Sequence, residues 1–392
     1  MPAKTWIPSQ SPVDASNPSV SPFESGGSRN LALIQNIQNW LLSSHVQLTD
    51  GPHRGGVAGW LNEKGSPEFL YPELMGYYLT WLTFLSVVSH RNETIFSHSR
   101  NALRWISDQF ADGHVPLTRL YLQSSGEDWR NSVIFSFDTA MLSRGVALAP
   151  CLDGDRGRED TLARILNCLA YFIGSNGFIQ PYLRAQSGPS LALPDRWSLA
   201  IGPHQLKIAA AVFSLPPNVV SQDLAAAADR LYWHWRERLL SMQLSGDTHP
   251  ILYYLEGLLL AGAYEIDEEA WLLAARVYTK LMEAQSPEGG LAPRLNDTGT
   301  PLRSDVLAQA LRIGCILRSR GCLSHRWEEK LATLAITLEL FVQDDGSVQF
   351  CRHGRERHRN TCSAIFSHQA LCFFETLSAG QTIPDSWVKL LI

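Results

Sequence analysis

The sequence has little of what would bring a protein to a membrane or to nucleic acid. Charged residues are only 18% of the 392 residues, the formal net charge is −5, and no long basic run occurs. A nucleic-acid partner or an anionic membrane surface is therefore not expected. No apolar run reaches the ~18 residues that a membrane helix requires, and the first residues lack the basic start and apolar core of a secretory signal. These absences predict a cytoplasmic protein.

Cysteine pairs and cofactor motifs are also missing. None of the seven cysteines belongs to a Cys-x-x-Cys pair, so reduced thiols are expected rather than a structural zinc site. The sequence contains neither a Gly-x-Gly-x-x-Gly motif after a strand nor a Walker loop. It also lacks the Gly-x-Ser-x-Gly nucleophile elbow. We therefore expect neither a metal nor a cofactor.

What the sequence has instead is a pattern repeated six times. Each unit is a long amphipathic segment, a loop, and a shorter segment rich in small and apolar residues. Apolar residues at three- and four-residue steps predict helices. The first segments are 31–46, 93–110, 158–173, 222–242, 268–285 and 325–342. The second segments are 72–88, 133–147, 197–215, 248–264, 303–317 and 360–377.

Five of the six first segments end in a turn that contains glycine, at Gly51, Gly113, Gly177, Gly289 and Gly346. A helical hairpin cannot bury its apolar face alone, so copies stack, and a closed ring of six leaves no exposed end. The sequence therefore predicts an all-α fold, an (α/α)6 toroid, formed by residues 29–392 as a single domain. The Ser- and Pro-rich residues 1–28 are predicted to be a disordered tail.

The starts of the six inner helices of such a ring converge on one mouth. Helix N-termini carry partial positive charge and free N–H groups, which suit the hydroxyl and anionic groups of a ligand. We therefore expect the chemistry of this protein at the starts of the second segments.

Five short motifs near these starts resemble those of six-hairpin glycosidase-like toroid proteins, many of which are encoded among bacterial polysaccharide genes. They are Gly-Gly-Val-Ala at 55–58, Tyr-Pro-Glu-Leu-Met-Gly-Tyr at 71–77, Phe-Asp-Thr-Ala at 137–140, Thr-His-Pro-Ile-Leu-Tyr-Tyr-Leu-Glu-Gly-Leu at 248–258 and Asp-Val-Leu-Ala-Gln at 305–309. The sequence departs from the family pattern at Ala140, Pro250, Leu252 and Asp305. The resemblance implies the toroid fold, a role in carbohydrate metabolism or polysaccharide biosynthesis, and a carbohydrate or similar polyhydroxylated ligand.

Three carboxylates near the predicted mouth are candidates for catalysis. Glu73 follows Pro72, and proline favours the first position of a helix, so this carboxylate is predicted at an inner-helix N-terminus. Asp138 lies in an apolar setting, which raises a carboxyl pKa unless the group is paired, and a raised pKa suits a general acid. In a glycoside hydrolase, Glu73 or Asp138 would protonate the leaving oxygen while Asp305 activates water. The simpler alternatives are a helix-dipole partner for Glu73 and a buried loop cap for Asp138.

A second hypothesis uses histidines. His249 precedes Pro250 at the start of the fourth inner helix, and His358 lies within the basic run 352–359. With Tyr253, they would supply base and acid for a polysaccharide lyase or a sugar epimerase. The arginines of the basic run would neutralise an anionic substrate.

Aromatic and polar residues beside the mouth are predicted to bind the substrate. A sugar ring stacks on an aromatic face while polar groups bind its hydroxyls. The predicted substrate-binding residues are Trp60, Tyr71, Asp128, Trp129, Trp197, Tyr253, Glu256, Arg303, Gln309, Arg352 and Asn360. A solvated loop explains Trp129 almost as well, and core packing explains Trp60, Trp197 or Tyr253 better when each is taken alone. Together they favour an aromatic-lined cleft.

A third class of function also stays open. The toroid would equally serve as a small-molecule cyclase, a tailoring enzyme of a biosynthetic cluster or a binding scaffold, because a fold does not decide a function. Asp344-Asp345 is not the acid-rich motif of class II terpene cyclases, and the zinc-binding set of lanthionine cyclases is missing. The hydrolase ranks first among the three classes, and the oligomeric state is left open.

Overall fold

The computed structural model describes residues 29–89, 92–111, 115–123, 127–150, 156–239, 241, 243–297 and 299–392. The predicted tail at 1–28 and the predicted turn at Gly113 lie outside these residues. Within them the chain folds into six helical hairpins, each with an outer and an inner helix. The outer helices are α1 (Arg29–Leu41), α3 (Glu93–Gln109), α5 (Arg156–Ala170), α7 (Gln222–Leu239), α9 (Ala270–Leu281) and α11 (Trp327–Glu339). The inner helices are α2 (Pro72–Val88), α4 (Ser136–Leu148), α6 (Leu206–Phe213), α8 (Thr248–Ala263), α10 (Ser304–Ser319) and α12 (Thr361–Ser378).

The inner helices form a closed ring. Each packs against the next in chain order, and α12 packs against α2. The outer helices surround this ring, with α3 against α2, α5 against α4, and α1 against α12. The inner helices are buried on almost every side, as their apolar composition predicts. The predicted all-α (α/α)6 toroid is therefore confirmed.

The same turn recurs at the ends of the outer segments. The predicted turn glycines that the structure describes all have positive φ, between 69° and 86°, at Gly51, Gly177, Gly289 and Gly346. Only glycine adopts that conformation without strain. Each turn is closed by one antiparallel bridge, namely Gln47 to Val57, Ile173 to Ile179, Gln285 to Leu291, and Val342 to Val348.

Two glycines let the first two inner helices touch. A Cβ atom on Gly76 of α2 would lie 2.3 Å from the carbonyl oxygen of Met141, and one on Gly145 of α4 would lie 2.3 Å from that of Gly76. Any larger residue would force the two backbones apart. The close contact places the first turns of α2 and α4, which carry Glu73 and Asp138, side by side.

Short strands connect the loops at the mouth. Strand β1 (Trp60–Leu61) pairs antiparallel with β6 (Arg359–Asn360), which joins the first hairpin to the sixth. Strand β2 (Phe69–Leu70) pairs with β3 (Leu120–Tyr121), and β4 (Val133–Phe135) pairs with β5 (Tyr182–Arg184). These pairs hold the loops of successive hairpins over the helix N-termini.

Two inner helices are shorter than predicted. Residues 133–135 are strand β4 rather than helix, because they pair with β5, and α4 begins at Ser136. The predicted helix 197–215 is helical only over Leu206–Phe213, preceded by two separate 3-10 turns. The second turn begins at Pro203, which has no N–H to donate to a longer helix. Trp197 consequently begins the first of these 3-10 turns, outside the inner helix.

The end of the toroid opposite the mouth is filled by residues 385–392. This segment begins with helix α13 (Asp385–Val388), whose Trp387 packs against Phe84 and Phe373 near the C-termini of α2 and α12. Arg144 donates hydrogen bonds to the carbonyl oxygens of Leu391 and Lys389, at 2.8 and 2.7 Å. The inner ring is thus accessible from one side.

Among the residues described, no helix is both long enough and apolar enough to cross a bilayer.

Candidate active site at the mouth

Two buried carboxyl groups lie on one side of the mouth. Glu73 is in the first turn of α2, immediately after Pro72, and Asp138 is in the first turn of α4. Each residue is only 8% exposed. The Tyr71 hydroxyl, on the residue that precedes α2, lies close enough to both carboxyl groups to influence the pKa of each.

The two groups have different electrostatic surroundings. Burial and the charge of Glu73 raise the pKa of Asp138 well above its ordinary value. Burial also raises the pKa of Glu73, but hydrogen bonds from Tyr71 and Tyr77 and the charge of Lys207 oppose the shift. Two neighbouring carboxylates do not readily ionise together. Because the pKa of Asp138 is raised further, Asp138 is favoured as the protonated partner.

Arg119 faces this pair, although the sequence analysis missed it. Its guanidinium lies 4.3 Å from the ring centre of Phe69 and 5.0 Å from that of Trp60. Its Nη1 donates to Asp128 Oδ2 at 3.3 Å. The charge of Arg119 lowers the pKa of both Glu73 and Asp138. Arg119 reaches the mouth because it immediately precedes strand β3, which pairs with β2. No sequence pattern predicted that these two strands pair.

Asp128 anchors Arg119 rather than lining an open subsite. It is 9% exposed. Its Oδ2 accepts a hydrogen bond from the Tyr121 hydroxyl at 2.8 Å, and its Oδ1 accepts one from the Arg130 backbone N–H at 3.0 Å. The neighbouring Trp129 packs against Arg130 and Phe135.

Aromatic rings form one wall of the mouth. Trp60 lies 4.2 Å from the ring of His358, which in turn stacks on Phe350 at 5.1 Å. The Arg303 guanidinium also packs on this row, 4.5 Å from the ring centre of Phe350. The pairing of β1 with β6 produces the arrangement, since it sets Trp60 opposite Asn360.

The histidine side of the mouth lies on α8 and α10. The Nδ1 atom of His249 is 2.6 Å from Gln309 Oε1 and 3.6 Å from Asp305 Oδ2. Burial lowers the pKa of His249 to about 4, and that of His358 also to about 4. Burial disfavours the charge on Asp305, but Arg303 outweighs it and holds the pKa of that carboxyl below its ordinary value.

A buried ion cluster lies beneath the mouth. Lys207 Nζ is 2.7 Å from Glu256 Oε2, and both side chains are fully buried. Glu256 Oε1 accepts hydrogen bonds from Arg312 Nε at 3.0 Å and from Gln309 Nε2 at 3.1 Å. The Lys207 ammonium also lies 4.6 Å from the ring centre of Tyr253. Burial lowers the pKa of Lys207 to about 8, and Glu256 partly offsets this effect.

Solved structures were compared with this fold. A sugar epimerase from a ruminal bacterium has a TM-score of 0.66 at 10% identity, over 91% of this chain and all of that one. Cellobiose 2-epimerase from Bacillus thermoamylovorans has a TM-score of 0.63 at 11% identity, over 88% and 99%. An unsaturated glucuronyl hydrolase specific for heparin has a TM-score of 0.62 at 10% identity, over 88% and 98%. The chain shares the (α/α)6 toroid fold with these structures. No family model matches the sequence, and no curated protein matches it.

The six-hairpin toroid brings most of the predicted site residues to one mouth. Glu73, Asp138 and Tyr71 form its carboxyl side, and His249, Asp305 and Arg303 form its histidine side. Trp197 borders the latter, with its ring centre 6.0 Å from that of His249 and 6.1 Å from that of Tyr253. His358 lies between the two sides, since the charges of Arg119, Asp305 and Arg303 all act on it.

Several predicted substrate-binding residues are either enclosed by the protein or lie on an exposed loop. Glu256 and Gln309 are fully enclosed, so they act through their neighbours and present no surface to a ligand. Asn360 is 8% exposed, and its Oδ1 accepts a hydrogen bond from Ser363 N at 2.9 Å, which caps α12. Arg352 is exposed on the loop before β6.

Proposed function

We propose that this chain is a carbohydrate-active enzyme that uses general acid–base catalysis at the mouth of the toroid. Our first candidate is a glycoside hydrolase. The observation that carries it is the buried pair of Glu73 and Asp138, at the N-termini of two adjacent inner helices, in which the pKa of Asp138 is raised further than that of Glu73. Glycoside hydrolysis requires two carboxyl groups in different protonation states.

In this proposal Asp138 protonates the leaving oxygen of the glycosidic bond. Glu73, as the ionised partner, acts on the opposite side of the sugar, as a base toward water or as a nucleophile. Asp305 suits the basic role less well, because its ion pair with Arg303 lowers its basicity. Glu73 therefore takes the place that the sequence analysis gave to Asp305.

The walls of the mouth support a polyhydroxylated substrate. Trp197 is half-buried and offers an aromatic ring on which a sugar stacks, whereas the Trp60 ring already packs against His358 and Arg119. Arg119 and Arg303 keep 14% and 28% of their side chains exposed, which favours an anionic group on the ligand. A cyclase or an apolar binding scaffold would favour an aliphatic mouth. The role in polysaccharide biosynthesis and the cytoplasmic location stay predictions.

The test is hydrolysis of neutral and uronic oligosaccharides by the wild type and by D138N. We expect release of reducing ends from at least one class, and a fall in kcat of roughly 10²–10⁴-fold in D138N. D344N, at an exposed carboxylate, should retain the wild-type rate. Full activity in D138N would remove the proposed acid.

A sugar epimerase or isomerase is the second candidate. His249 and His358 are both held neutral near the Arg303–Asp305 pair, so each can accept or relay a proton. Solved structures similar to this chain include a sugar epimerase and a D-mannose isomerase. Incubation in D₂O separates the candidates, because an epimerase transfers solvent deuterium to carbon without cleavage. A lyase would instead give an unsaturated product that absorbs ultraviolet light.

A further inference from the structure

Three hydrogen-bonded side chains connect the buried ion cluster of Lys207, Glu256 and Arg312 to the mouth. Glu256 lies on α8 seven residues after His249, two turns along the same face of the helix. Gln309 on α10 bridges them, with Nε2 3.1 Å from Glu256 Oε1 and Oε1 2.6 Å from His249 Nδ1.

The direction of these hydrogen bonds follows from the charge of Glu256. Its burial opposes ionisation, but Arg312 and Lys207 outweigh it and hold the pKa of Glu256 below its ordinary value. An ionised carboxylate only accepts hydrogen bonds, so the amide nitrogen of Gln309 must face Glu256. The amide oxygen of Gln309 then faces His249, and His249 Nδ1 must be the donor.

A second acceptor supports the same assignment. Asp305 Oδ2 lies 3.6 Å from His249 Nδ1, so an unprotonated Nδ1 would face two oxygen acceptors and no donor. The structure gives Nε2 no hydrogen-bond partner among the described residues. The His249 side chain is 12% exposed, and its ring lies 4.3 Å from that of Tyr253 at the mouth.

We propose that Glu256, acting through Gln309, fixes His249 in the tautomer with hydrogen on Nδ1 and leaves Nε2 as a proton acceptor open to the mouth. Glu256 and Gln309 are then positioning residues, and neither touches the substrate. The assignment of the tautomer is independent of the reaction, whereas the use of His249 as a base rests on the proposed acid–base function.

The tautomer is tested by long-range ¹H–¹⁵N NMR of protein labelled with ¹⁵N-histidine, at pH 7. The H249N variant identifies the His249 signals. We expect the wild type to show a protonated Nδ1 and an unprotonated Nε2. Hydrogen on Nε2 in the wild type would overturn the proposal.

Two variants at Gln309 separate the relay from simple packing. Q309L removes the acceptor but leaves the Lys207–Glu256–Arg312 cluster intact, so the His249 signals should move toward the Nε2-protonated form. Q309E replaces the amide that donates to Glu256 by a carboxyl group, which must keep a proton to lie beside that carboxylate. Its other oxygen still faces Nδ1, so Q309E should keep the tautomer. An unchanged tautomer in Q309L would overturn the relay. Q381L, at an exposed glutamine, should leave the His249 signals unchanged.

The kinetic test uses the substrate that the activity screen identifies. We expect Q309L to lower kcat roughly 10-fold or more with little change in KM, since general base catalysis contributes about 10²–10⁴-fold. A protonated Nδ1 together with full activity in H249N would confirm the tautomer and overturn the catalytic use of His249. Absence of activity on every sugar would count against the proposed function alone, because the NMR result decides the relay.

Discussion

The hydroxyl groups of Tyr77 and Tyr253 lie 3.3 Å apart across the centre of the toroid. They belong to α2 and α8, which stand on opposite sides of the inner ring. Tyr77 also lowers the pKa of Glu73, and the Tyr253 ring lies 4.3 Å from that of His249. The contact therefore joins the carboxyl side of the mouth to the histidine side, so a charge change on one side acts on the other.

The shared hydroxyl of Tyr71 should set the pH range of activity. The hydroxyl has one hydrogen to donate, and the ionised Glu73 is the stronger acceptor, so its hydrogen bond lowers the pKa of Glu73. Y71F should therefore raise the pKa of Glu73 and move the acidic limb of the pH–rate profile of kcat/KM to higher pH. An acidic limb that shifts to lower pH, or does not shift, would contradict this role. Y171F, at a tyrosine that is 75% exposed, serves as the matched control.

Arg119 should determine affinity for an anionic substrate. A hydrogen bond to a charged group contributes about 1.5–3 kcal/mol, so R119M should raise KM for a uronic substrate roughly 10–100-fold. The change for a neutral sugar should be much smaller. Steady-state kinetics with a matched pair of substrates measures the difference, and R100M, at an arginine with 51% of its side chain exposed, is the control. Equal losses on both substrates would argue against anion binding.

Close contact of α2 and α4 should be a requirement for stability. The Cβ atom of G76A would meet the backbone at Met141, which cannot rotate away as a side chain would. We expect the free energy of unfolding to fall by about 1–3 kcal/mol, measured by urea denaturation. G299A, where the nearest atom to the new Cβ is 3.6 Å away, should be unchanged. Wild-type stability in G76A would mean that these helices pack less tightly than described.

Removal of the buried Lys207 should cost stability as well as activity. K207M keeps the volume of the side chain but leaves Glu256 with Arg312 as its remaining cation. Breaking a buried ion pair from one side costs about 3–5 kcal/mol, and the lower end is expected here. Thermal denaturation of K207M and of the exposed variant K64M at pH 7 compares the two sites. A stable K207M would show that the cluster contributes little to folding.

The position of a site residue was predictable from the sequence where a local pattern determines the start of its helix. Pro72 fixed the start of α2 and with it the position of Glu73, and Asp138 was expected in an apolar first turn. Arg119 was not found, because the residues that bring it to the mouth belong to a strand pair between different hairpins. Glu256 and Gln309 were expected on the surface of the site, yet both are enclosed by partners from other helices.

The sequence by itself determined the number of hairpins, the turns between their segments and which helices are buried on all sides. Each of these depends on neighbours within a few turns of the same chain segment, through helical periodicity and turn glycines. Only the tertiary structure decided which side chains meet at the mouth. Tyr77 and Tyr253, for example, are 176 residues apart in sequence. Their contact depends on closure of the ring, which no local pattern encodes.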